Sequence, residues 1–333
     1  WGHGTMKQTN PNIYNNGTLV HDPRVNEKGE LIDLSLQGFD LDESDKEAIG
    51  ILNVGSFRTW SRKISSHNGN TFTYNPVPQN EWKTKEHQYF LEGRLEFLDT
   101  EGEWFLDTTT PKNTLYYYAP SGANPNQMQI RGKVQSYAFV ISKSKYVELR
   151  DLEFFGTTFY IYKSNGSKVD NCNFFYPSTS KRMLRIVNQV PEMSIIKSSS
   201  GCTISNSAFR YTDGSAIEAW GGNNTIKNNC FYHIDYSSAD LTSIMVTVLM
   251  SGKYNKFQYN TMHKLGASAT VVGGDSALFE FNDIYDTGHV QSDGAMIQCM
   301  VGAQPGTIIR YNWLHDSRKY GARFDGNGCL LYT

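Results

Sequence analysis

From Leu149 onward the apolar positions of the chain recur in one short phrase. An apolar residue, a polar spacer, one or two Asn or their equivalents, a further spacer and a large apolar residue follow one another. The phrase stands at Val169–Phe174 (VDNCNF), Ile204–Phe209 (ISNSAF), Ile226–Phe231 (IKNNCF), Phe257–Met262 (FQYNTM), Phe279–Ile284 (FEFNDI) and Ile309–Leu314 (IRYNWL). The residues that end it lie 22 to 35 positions apart, so the insertions vary while the phrase holds. A repeat of this length built of short strands cannot bury an apolar face alone, and successive copies must stack to share one core. Asn suits the bend between two strands because it tolerates left-handed backbone geometry and because its amide can bond to the amide one coil away. Asn229, Asn260, Asn282 and Asn312 hold the same place in the phrase, which predicts an asparagine ladder. A β-sandwich with Asn-rich turns has no need of one residue type in four successive turns. The pattern therefore predicts an all-β chain folded as a single-stranded parallel β-helix, a solenoid, with an irregular N-terminal region.

Before the regular repeats, strand-like alternation occurs at Ile51 to Phe57, Asn70 to Tyr74, Tyr89 to Leu98, Glu103 to Asp107 and Leu115 to Tyr118. These segments read as irregular first coils carrying a long insertion. An amphipathic patch runs from Leu31 to Leu41, and the charged run Asp42 to Lys46 reads as a solvated helix start. No Pro/Ser-rich linker intervenes, so the expected organisation is one continuous domain. In it, residues 1–145 form irregular coils and an insertion, and residues 146–333 form the regular coils that carry a groove. The start at Trp1, without Met or signal peptide, reads as processed. An open helix end just past Asp325 would expose unpaired strand edges, so further coils or a partner are expected to cover it.

Composition sharpens this picture in few respects. The 333 residues suffice for a large core. An aromatic content of 13%, with 20 Tyr and 18 Phe, favours strands and flat ligands such as sugar rings. A formal net charge of -2 gives no argument for nucleic acid or a membrane surface, and no run of 18 apolar residues offers a bilayer span. The cysteines Cys172, Cys202, Cys230, Cys299 and Cys329 form no C-x-x-C pair, so no zinc cluster is expected. Cys172 and Cys230 fall inside the repeated phrase and read as small core residues.

Alternation on the third strand of each coil turns Ile217 and Ala219 inward and Glu218 outward; likewise Ala322 and Phe324 point in and Arg323 and Asp325 out. The outward row and the loops before it predict a polar groove. Its lining would include Asp213, Glu218, His233, Asp235, His263, Asp286, His289, Asp293, His315, Asp316, Arg318, Arg323 and Asp325, one set per coil. Asp293 and Asp325 lie one coil apart in this row, at a coil spacing of about 4.8 Å, and Glu218 lies more coils away. His263, His289 and His315 are suited to sugar hydroxyls, as are Asp286 and Asp316. Arg323 suits a carboxylate or sulfate on an anionic substrate, and Trp220 a stacked sugar ring.

Two stretches carry a family resemblance. Tyr89–Asp107 (YFLEGRLEFLDTEGEWFLD) with Thr114–Pro120 (TLYYYAP), and Ser292–Gln298 (SDGAMIQ) followed by Gln304–Asn312 (QPGTIIRYN), His315-Asp316 and Tyr320–Gly326 (YGARFDG), resemble segments of right-handed parallel β-helix glycoside hydrolases. That broad group includes β-xylosidase, α-1,3-galactosidase and fucosidase- or fucanase-like members. The resemblance implies a right-handed helix and cleavage of a glycosidic bond in a poly- or oligosaccharide in a secreted or periplasmic setting. Such hydrolysis needs one carboxyl that donates a proton and one that stays ionised, roughly 5 to 9 Å apart; Asp293 and Asp325 are the first candidates for the pair and Glu218 the third. The sequence requires no cofactor, although calcium is compatible. The resemblance departs at Gly326, where some β-xylosidase-like members carry an acid.

Two other readings stay open. A polysaccharide lyase uses a Lys, Arg, His or Tyr base and a cation that neutralises a uronate; Lys264 and Arg323 supply such parts, but no Asp triplet has calcium-ligand spacing. A non-catalytic carbohydrate-binding β-helix would need no paired carboxylates.

Overall fold

The computed structural model describes residues 19–20, 29–33, 36, 38, 40–41, 48–55, 57–77, 88–109, 111–241, 245–291, 293–300 and 304–325. The N-terminal start, the Asp42 to Lys46 run, Ser292, Gly326 and Cys329 lie outside them. Two compact units make up the chain: one comprises Trp1–Arg131 with Ser180–Gln189, the other Gly132–Thr179 with Val190–Thr333.

In the second unit three parallel sheets run the length of the repeats, two of seven strands and one of eight. Each coil gives one strand to each sheet; the coil of Asn229, for example, contributes Thr225–Lys227, Cys230–Ile234 and Val246–Ser251. Strands pair in parallel with the equivalent strands one coil away. This is a right-handed parallel β-helix, and no α-helix occurs among the described residues. Its core is made of in-register columns. Phe154, Phe174, Phe209 and Phe231 follow one another on the second sheet, with ring centroids 4.4, 4.6 and 5.2 Å apart. Leu149, Val169, Ile204, Ile226, Phe257 and Phe279 form the facing column on the first. Both columns are buried in one apolar cluster, the shared core that a single coil cannot make.

The asparagine ladder is present. The side-chain oxygen of Asn260 accepts from the backbone N–H of Asn229 at 3.0 Å, and Asn282 and Asn312 repeat the bond one coil further on each time, also at 3.0 Å. Each amide nitrogen in turn donates to a backbone carbonyl, as Asn260 does to Ile226. Of the two reasons expected for Asn, the amide bond between coils holds and the left-handed bend does not. The left-handed residue is the one before the ladder position: Asn228, Tyr259, Phe281 and Tyr311 have φ of 53°, 56°, 57° and 55°, while the ladder residues do not. The ladder therefore selects the amide, and the bend accepts even a Tyr or Phe. Cys172 occupies the ladder place in an earlier coil, and its N–H bonds the hydroxyl of Ser207. Cys172 is buried as expected, whereas Cys230 sits on an outward position and is only half-buried.

The first unit is not made of coils. Strands Leu19–Val20, Glu30–Asp33, Thr71–Tyr74, Arg58–Asn68, Ile49–Gly55 and Gln88–Glu92 form one antiparallel sheet in that order. Trp104–Asp107 and Thr114–Tyr117 form a separate hairpin. Alternation with period two marks several of these strands but misses Arg58–Asn68 and reads Glu30–Asp33 only as part of an amphipathic patch, and it carries no information on direction. The overlooked signal is Asn68-Gly69-Asn70, where Asn68 pairs with Thr71 across a tight turn with Gly69 at φ 63°. Trp60, Phe72, Tyr89 and Leu91 lie in this unit's own core. The solenoid also starts earlier than residue 146, since Tyr137–Ser142 is already the edge strand of the eight-stranded sheet.

Candidate active site

The third sheet carries the outward row that alternation predicted. In register along it stand Tyr160, Ile195, Glu218, Leu249, Val272, Gln298 and Arg323. Ile217 and Ala219 beside Glu218 are fully buried in the core.

At one end of the row three of the expected residues meet. Arg323 donates through Nη1 to Asp293 Oδ1 at 3.0 Å, and its Nη2 lies 3.0 Å from Asp325 Oδ2. One planar guanidinium thus bridges two carboxylates from adjacent coils, a geometry that its fixed fork of donors favours. The Asp293 side chain is 15% exposed and that of Asp325 48%. The backbone fixes Asp293 as well. Oδ1 also accepts the Gly294 N–H at 2.8 Å, and the Asp293 carbonyl accepts from the Ser268 hydroxyl at 2.6 Å. Gly294, at φ 103°, passes so close to Ser268 that a Cβ would stand 2.3 Å from its carbonyl oxygen. Gln298, neighbour of Arg323 in register, donates from Nε2 to Asp325 Oδ2 at 3.4 Å.

Glu218 does not join this group. It lies four coil steps from Arg323, roughly 19 Å at the usual strand spacing, and it is buried. Its Oε2 accepts the indole N–H of Trp220 at 3.1 Å, which fixes the orientation of a ring that remains 42% exposed. Tyr137 lies in the same neighbourhood, and burial, with the charges of Glu192, Tyr160 and Glu218, pushes its hydroxyl up to about 12. Between the two ends of the row, Leu249 and Val272 are buried, so the outward face is covered there.

His233, His263 and His315 lie on strands of the second sheet, and His289 in the loop after one. Tyr232, His263, Tyr285 and His315 form a stacked column on the outside of the second sheet, with ring centroids 4.8, 4.9 and 5.0 Å apart. His315 bonds Asp316 at 2.8 Å and Asp283 at 3.0 Å; the bond to Asp316 is the main reason its proton is held more tightly than usual. His263 and His233 shift the other way, through burial and the nearby charge of Lys264. His289 pairs with Asp286 at 3.0 Å. One groove holding all the acids and histidines is therefore not what forms: the coil corner divides them between two faces.

Asp213 and Asp235, expected in that groove, are buried. Asp235 lies against Thr247 on the outer face of the third sheet, where Thr247 and Thr270 are also fully covered. Thr247 donates to the Asp235 carboxylate, and Lys319 donates to the Ala267 carbonyl and, at 3.3 Å, to Thr270. Burial pushes Asp235 up to about 7 and Lys319 down to about 7. Among the described residues no three His, Cys, Asp or Glu side chains gather as a metal site would require.

Sequence reasoning missed Gln298, Ser268 and Gly294. Gln298 had a signal, as the lone polar residue of the strand Ala295–Cys299 (AMIQC), at an outward position. Ser268 had none, because its role depends on a contact between loops.

Comparison with known proteins bears on the fold. A family model described as "Right handed beta helix region" matches residues 194–331. No curated protein matches the sequence. A solved structure described as "Glycoside hydrolase" superposes with a TM-score of 0.61 at 11% identity, covering 92% of this chain and 69% of that one. The chain is a right-handed parallel β-helix with a fold similar to that of a glycoside hydrolase.

Proposed function

We propose that this protein is a glycoside hydrolase that cleaves a poly- or oligosaccharide with Asp293 and Asp325 as its paired carboxyls. The observation that carries the reading is the single guanidinium of Arg323 bonded to both. Contact with one planar group holds the two carboxyls close together across one coil step, as paired carboxyls that serve hydrolysis at roughly 5 to 9.5 Å require. Asp293, held by Gly294 and Arg323 and backed by Ser268, takes the role of the fixed carboxylate that acts as nucleophile or activates water. Asp325, more exposed, takes the role of proton donor to the leaving oxygen. Arg323 holds the pair in place, and an anionic sugar substituent would compete for the same guanidinium.

Trp220, fixed by Glu218, is proposed as a stacking platform for a sugar unit several residues from the scissile bond. His263, His289, His315, Asp286 and Asp316 are proposed to meet sugar hydroxyls only where a chain wraps around the coil corner. The resemblance in the two stretches quoted above and the glycoside hydrolase among similar folds support the same class, and a secreted or periplasmic setting is part of the proposal. The test is incubation with a panel of plant and algal polysaccharides. New reducing ends with no absorbance from unsaturated uronates, unaffected by chelator, support hydrolysis; chelator-sensitive growth of that absorbance supports the lyase instead.

A further inference from the structure

Gln298 is 1% exposed, on the outward side of its strand, directly beside Arg323 in register. A buried side-chain amide normally has both ends engaged, because an orphaned polar atom in the interior is costly. Here only one end is. Nε2 donates to Asp325 Oδ2 at 3.4 Å, while Oε1 is buried without a hydrogen-bond partner. An amide with one free end is not locked in either orientation, and a half-turn about its last bond exchanges a donor for an acceptor.

We infer that Gln298 is the positioning residue for Asp325 and that its amide follows the proton of that carboxyl. With Asp325 ionised, Nε2 donates to it. With Asp325 protonated, the amide turns, and Oε1 accepts the carboxylic O–H. No bond is made or broken in the protein by this turn, and the proton stays on Asp325 until the leaving oxygen takes it. A group that gives and regains a proton in each cycle needs a neighbour that serves both states, and a Lys or a Glu at this place would favour one of them. The inference rests on the assignment of Asp325 as proton donor.

The test compares Gln298→Met and Gln298→Glu, both close in size to Gln, on the polysaccharide that the wild type cleaves. Gln298→Met is expected to lower kcat by about 10- to 100-fold with KM within about threefold, as misplacement of a reacting group does. Gln298→Glu sets a like charge beside Asp325 and is expected to move the alkaline limb of the kcat/KM profile upward by about one pH unit. A side chain at position 298 that does not face the Asp325 carboxyl would leave that limb in place. A Gln298→Glu profile that superimposes on the wild type, or a Gln298→Met kcat within twofold of it, overturns the inference. If Gln298→Met does not melt cooperatively, the Gln298→Glu profile decides alone. Asp325→Asn separates the two levels: if it keeps full activity, the assignment of Asp325 fails, and if it is inactive, the outcome at Gln298 is judged by itself.

Discussion

Arg323 reaches across one coil step to bond Asp293 at 3.0 Å, with its other terminal nitrogen on Asp325. Its removal should therefore disturb chemistry more than folding. The Arg323 side chain is about one-third exposed, and exposed or half-exposed ion pairs contribute little to stability. Arg323→Met is expected to lower turnover by at least about 100-fold through loss of alignment, while thermal denaturation shifts by only a few degrees. A melt that collapses would mean the bridge is structural.

Gly294 should be intolerant of any side chain. Its φ of 103° and a would-be Cβ 2.3 Å from the Ser268 carbonyl oppose Gly294→Ala in two ways. The expected loss is about 2–3 kcal/mol in urea unfolding. Turnover should fall as well, because Ser268 and Gly294 both fix Asp293.

In the ladder, Asn260→Ala should cost about 1–3 kcal/mol, since it leaves the buried N–H of Asn229 without its acceptor. Tyr259→Asn, at the left-handed position before it, should be neutral or mildly stabilising, because Asn visits that region more readily than Tyr. Urea titration of the two variants distinguishes the amide's role from the bend's.

The buried Asp235 and Lys319 predict a pH signature. Asp235, raised from 3.8 to about 7, favours the folded state at low pH, and this contribution is lost as pH rises from about 4 to about 7. Lys319, lowered from 10.5 to about 7, favours the folded state at high pH, and that contribution is lost as pH falls from about 10 to about 7. Their joint contribution is thus smallest near neutrality. Relative to wild type, an Asp235→Asn, Lys319→Met double variant should gain on the order of 2 kcal/mol at pH 7 compared with pH 4.5. Unfolding free energies of equal difference at both pH values would contradict the coupling.

Much of the solenoid was legible because its rules are local and repeated. The phrase ending in Phe174, Phe209 and Phe231 names residues that stack in register, and alternation correctly turned Ile217 and Ala219 inward. The antiparallel sheet before residue 93 was not, since alternation is blind to strand direction and the Gly69 turn was the cue. The site was half legible. Asp293 and Arg323 meet because one coil step is a fixed distance, whereas Asp213 and Asp235 looked like groove residues in sequence yet are buried. The histidines recur once per coil as expected, but His233, His263 and His315 fall on the second sheet and only His289 in a loop after it, and a count along the chain does not say where a corner falls.

The most direct test of the paired-carboxyl account is a comparison of wild type, Asp293→Asn and Asp325→Asn on one cleaved polysaccharide, with reducing ends and unsaturated-uronate absorbance followed together. The account predicts reducing ends without that absorbance from the wild type, and a loss of at least about 1,000-fold in each variant with an unchanged cooperative melt. Cleavage that continues near the wild-type rate in either variant, or product that carries the unsaturated-uronate absorbance, would contradict it.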